Sequence, residues 1–151
     1  MENIIKFNIG DYSRDGHGQS EMVTIKCNAR ISQLRDIYKR MIDDSGIYFG
    51  GLNWKGFKLV GIKWICSEYE DNVFDITDLK PMYRQPLIAA NFDSYDDKNK
   101  LYLYDEQIIR AMMIMIKAFD ERVEFEIVSP PDDEHLFNKW GCHGIGYGLY
   151  E

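Results

Sequence analysis

Asp105-Glu106-Gln107-Ile108-Ile109-Arg110-Ala111-Met112-Met113-Ile114-Met115-Ile116-Lys117-Ala118-Phe119 is the stretch that decides the fold. Ile108, Met112, Met115, Ile116 and Phe119 recur at helical spacing, and Ile109 and Met113 widen the stripe. Asp105 suits the N-cap of a helix over 105–119. Only Gln107, Arg110 and Lys117 hold a narrow polar edge. A helix that is apolar on most sides has to be covered on most sides, so this one is expected at the centre of the core. Its methionines would also suit an adaptable groove, but packing is the simpler use of them.

Working outward, Ile31, Leu34, Ile37, Tyr38, Met41 and Ile42 mark a second helix over 29–45. Asn28 or Ser32 is expected to cap its start, and Gly46 to end it. Strands are expected over 4–9, 21–27, 57–66, 100–104, 123–128 and 145–150, with 87–92 as a further possibility. Pro81 and Pro86 argue against a long helix between 79 and 92 and leave room only for a short helical turn. Residues 93–99 read as a polar turn. Pro130 and Pro131 stop the strand before them. The order is not strictly alternating. It predicts a single α+β domain over 1–151, with a mainly antiparallel sheet of five or six strands and two main helices.

Composition narrows the function classes. The chain has 151 residues, 45% of them hydrophobic and 28% charged, which are globular values. A basic segment followed by an apolar one is not found near Met1, and the longest nearly apolar run, Ala111 to Ile116, is far below the roughly 20 residues of a bilayer span. Cys27, Cys66 and Cys142 are an odd set with no close pair, which suits free thiols in a cytoplasmic protein. The net charge of −7 argues against general nucleic-acid or anionic-membrane binding. The charge is uneven. Residues 1–66 carry ten Lys/Arg against seven Asp/Glu, and residues 67–151 carry eight against eighteen. Solvated loops account for this blandly. The sharper reading is an acidic face made by Glu68, Glu70, Asp71, Asp75, Asp78, Asp132, Asp133 and Glu134, offered to a basic partner.

Two stretches carry candidate chemistry, residues 10–20 and residues 140–148. In the first, Asp11, Ser13 and Asp15 alternate before Gly16, as in the opening of a calcium loop. The match then fails, because Met22 stands where a bidentate Glu is needed. The plain alternative is an Asp/Ser/Gly turn bonded to its own backbone. The second stretch is Trp140-Gly141-Cys142-His143-Gly144-Ile145-Gly146-Tyr147-Gly148. Asp11, Asp15, His17, Cys142 and His143, with Cys27 as a further donor, are the ligand types of a divalent transition metal such as zinc. The adjacent Cys142-His143 is not a chelating spacing, so the ligands would have to come from both ends of the chain. His17 would also have to reach Cys142 for thiol catalysis, since neighbours on a strand point to opposite faces. The glycines have no Walker-type lysine and no following helix to favour a phosphate.

The residues therefore support a small acidic binding protein, of an inhibitor or immunity/anti-defence type, acting on a basic partner. The alternative is a ligand- or metal-binding domain or enzyme whose site is formed by 10–20 and 140–148. An assembly role is the third reading, which exposed aromatics among Tyr48, Phe49, Trp54, Tyr83 and Tyr102 would favour.

Overall fold

The structure is a computed structural model that describes residues 3–11, 19–50, 63–64, 73–95, 97–103, 106–129, 138–140 and 147–149. Strand alternation builds its first layer. β1 (Asn3–Asp11) and β2 (Gln19–Cys27) pair antiparallel along their whole length, from Asn3 opposite Cys27 to Asp11 opposite Gln19. Alternate side chains of a strand share a face, so Ile5 and Phe7 join Val23, Ile25 and Cys27 in one buried row.

α1 (Ile31–Ser45) lies on the core with Leu34, Ile37, Tyr38, Met41 and Ile42, the stripe expected from its sequence. Its cap is not Asn28 or Ser32 but Arg30, whose backbone N–H is accepted by Gln33 Oε1 at 3.0 Å. Asn28 is occupied elsewhere. Its side chain donates to the Arg122 carbonyl at 2.8 Å and accepts from the Glu124 N–H at 2.8 Å, clasping a distant turn. Gly46 ends the helix at φ 74°, a left-handed position that glycine takes without strain.

β3 (Ile47–Tyr48) pairs parallel with β4 (Lys63–Trp64). β5 (Val73–Asp75) leads to α2 (Pro81–Ala89), and β6 (Ser94–Tyr95) and β7 (Asp97–Tyr102) follow. β7 lies between β5 and β6, antiparallel to both. α3 (Glu106–Phe119) is followed by β8 (Phe125–Val128), β9 (Asn138–Lys139) and β10 (Tyr147–Leu149). β10, β1, β2 and β8 stand in that order in one sheet, where β9 also pairs with β1, parallel to it at Ile5 and Lys6.

The chain is α+β with mostly antiparallel pairing, as expected. The single sheet of five or six strands is corrected: the ten described strands fall into three sheets of five, two and three strands. The two main helices become three. Leu87–Phe92 is not a strand, because α2 takes 81–89 despite two prolines. Pro81 sits at the first helical position, where its missing N–H has no partner to lose. Pro86 does remove an internal bond. Burial of Tyr83 and Leu87, one turn apart, offsets that loss. The polar turn expected over 93–99 is instead the closed end of the β6–β7 hairpin.

α3 holds the centre. Ile108, Ile109, Ala111, Met112, Met113, Met115 and Ile116 are all buried, and the helix lies against α1, α2 and β10. Tyr48, Phe49 and Tyr83 belong to the same buried cluster, which removes them from any exposed assembly surface. No helix among the described residues is long and apolar enough to cross a membrane.

Candidate functional site

Strand register decides which candidate residues can share a site. Asp11 ends β1, and its register partners are Gln19 of β2 on one side and Tyr147 of β10 on the other. Paired antiparallel residues stand about 4.5–5.5 Å apart at Cα. The connection 12–18 therefore begins and ends on the strand positions beside which the stretch 141–146 finishes. Asp15, His17, Cys142 and His143 lie within those two stretches and outside the described residues, and Asp11 is described through its backbone alone.

The same register removes one proposed ligand. Cys27 is opposite Asn3, at the far end of the hairpin from Gln19. Eight residues of strand separate the two ends, about 26 Å at roughly 3.3 Å per residue. The thiol is also buried, with the Ala29 N–H directed at its sulfur at 3.4 Å. Cys27 is a core residue and not a partner of Asp11. Among the described residues, no three His, Cys, Asp or Glu side chains stand close enough to hold a metal ion.

The stretch 141–146 starts from a fixed point. Trp140 is 1% exposed and packs on Phe7 at 5.3 Å and Tyr38 at 5.5 Å between ring centroids. Its backbone N–H donates to the Lys6 carbonyl at 3.0 Å. The Arg35 guanidinium lies 5.2 Å from the indole centroid and donates to the Trp140 carbonyl. Cation and ring attract each other through the ring quadrupole. The indole Nε1 has no hydrogen-bond partner among the described residues. A large aromatic bordering a glycine-rich stretch was the sequence signal for this anchor. Its partner Arg35, on α1, carried no signal.

The proposed acidic face is seen at two positions. Asp75 accepts from the Thr77 N–H at 2.9 Å and hydroxyl at 2.5 Å, so it closes a turn after β5. Asp78 is exposed. Glu68, Glu70, Asp71, Asp132, Asp133 and Glu134 lie outside the described residues.

Two polar clusters went unread in the sequence, the first because its members meet only in the fold and the second because it lies within one short turn. Asp44 accepts from Lys80 Nζ at 2.8 Å and from the Tyr83 hydroxyl at 2.5 Å. Lys80 and then Tyr83 hold the Asp44 carboxyl below the usual carboxylate range. Burial, reinforced by Asp44, pushes the Tyr83 hydroxyl well above its ordinary value. In the second cluster, Asp120 accepts from Arg122 Nε at 2.9 Å and from its terminal nitrogen at 2.7 Å. This hydrogen bonding lowers the Asp120 carboxyl to about 2. An open groove of about 240 Å³ beside it is lined by Asn28, Ala29, Gln33, Ile37 and Val123. The first cluster ties α1 to α2, and the second closes the turn after α3.

No protein-family model, curated protein or solved structure matches this chain. Function has to be argued from its own residues.

Proposed function

We propose that the chain is a small binding domain for a divalent transition metal, with its site at the sheet end where β1, β2 and β10 meet. The register of Asp11 with both Gln19 and Tyr147 supports this reading. It gives the two His-bearing stretches a common point of attachment, although they are separated by most of the chain. His17 and His143 would supply nitrogen, Cys142 sulfur, and Asp15 or Asp11 oxygen, which is a donor set suited to zinc. Thiolate and neutral imidazole are the binding forms, so affinity should rise with pH through the histidine range. The odd cysteine count with no close pair in sequence fits a reducing compartment.

Titration of the metal-free chain with zinc, followed by calorimetry, is the test. One equivalent should bind. His17→Ala and His143→Ala should each weaken binding by more than the roughly tenfold to hundredfold that losing an outer-shell partner costs. No uptake by the unaltered chain, or uptake by both variants as tight as by the unaltered chain, refutes the site.

A second reading keeps the basic protein partner. The excess of eighteen Asp/Glu over eight Lys/Arg in residues 67–151 favours it. Purified basic nucleases are suitable probes. Binding should weaken steeply with added salt, and association indifferent to salt would rule this reading out.

A further inference from the structure

We draw no further inference here: the strongest candidate, the open groove of about 240 Å³ between the start of α1 and the turn after α3, has its polar side chains Asn28, Gln33, Asp120 and Arg122 already bonded to one another or to backbone, and nothing in the structure shows what would fill it.

Discussion

Two arginines in this fold use the same bonding for different ends. Arg35 donates to the Trp140 carbonyl and lies 5.2 Å from the indole centroid. Arg110 donates to the Ala90 carbonyl at 2.6 Å and lies 4.7 Å from the Phe92 ring centroid. Each closes the end of a segment by pairing a backbone oxygen and an aromatic face. The difference is in what else holds that segment. Arg110 ties α3 to the end of α2, which is already packed on α3 and buries Tyr83 and Leu87. Arg35 ties α1 to Trp140, the residue that follows β9 and packs its ring on Phe7 and Tyr38. The contribution of such a clamp thus depends on the redundancy around it, and its reach follows the same rule. Loss of Arg35 should be felt locally, and loss of Arg110 throughout the core.

Trp140→Ala should have the largest effect. Deleting a buried tryptophan costs about 3–5 kcal/mol. That loss should fall on β9 beside Trp140, whose amides should exchange faster while α1 and α3 keep their helical circular dichroism. A variant that melts as a whole at ordinary temperature would break the comparison, because it would make Trp140 as central to the fold as α3.

Arg110→Ala comes next. It removes a charged hydrogen bond of about 1.5–3 kcal/mol and a ring contact of about 0.5–1 kcal/mol. Denaturant unfolding should show that loss as one cooperative shift, with β9 and α3 amides affected together. If only Ala90 and its neighbours loosen, Arg110 is as local as Arg35 and redundancy is the wrong explanation.

How much of this was legible in the sequence follows from how far apart the interacting residues are. The α3 stripe could be read directly, since residues three and four apart in sequence are neighbours on a helix, and all seven of its buried side chains lie within Ile108–Ile116. Gly46 was legible as a helix end for the same local reason. α2 was misread because a rule about one residue, the missing N–H of Pro86, was set against a gain visible only in the fold, the burial of Tyr83 and Leu87. The strand expected over 145–150 is present as β10, but β9 had no signal, since two residues paired with Ile5 and Lys6 have no period of their own. Arg35 and Trp140 stand 105 residues apart. For the candidate site, nothing local in the sequence placed Cys27 at the opposite end of the β1–β2 pair from Asp11, which the register shows. Only the register with Tyr147 attached the second stretch to the Asp11 end.

Tyr83→Phe sharpens the comparison from the other side of α2. Its hydroxyl donates to Asp44, so it joins α2 to α1 as Arg110 joins α2 to α3. Losing that bond should cost about 1–2 kcal/mol at neutral pH, less than Arg110→Ala, because Asp44 is partly exposed and keeps Lys80. The effect depends on pH. Asp44 is held below its ordinary value in the folded chain, so its stabilising contribution is present above that ordinary value and is lost as pH falls through the lowered one. The gap between Tyr83→Phe and the unaltered protein should narrow on acidification. A gap that stays constant down to strongly acidic pH would mean that the hydroxyl acts through packing alone.

A third arginine marks the lower limit. The Arg122 side chain is 83% exposed and engages a carboxylate two residues away, not a distant carbonyl. It bridges no elements, and water competes for its donors. Asp120→Asn should therefore move the unfolding midpoint least of the four. Its signature is again the pH profile. The Asp120 carboxyl is lowered to about 2 from an ordinary 3.8, so whatever it contributes is complete above about pH 4 and disappears as pH falls toward 2. Curves for Asp120→Asn and the unaltered chain should converge in that window. If Asp120→Asn instead costs as much as Arg110→Ala, the turn over 120–124 carries more of the fold than its exposure implies. The Asn28 clasp on the Arg122 carbonyl and the Glu124 N–H would then be the place to look, since it joins that turn to a residue nearly a hundred positions away.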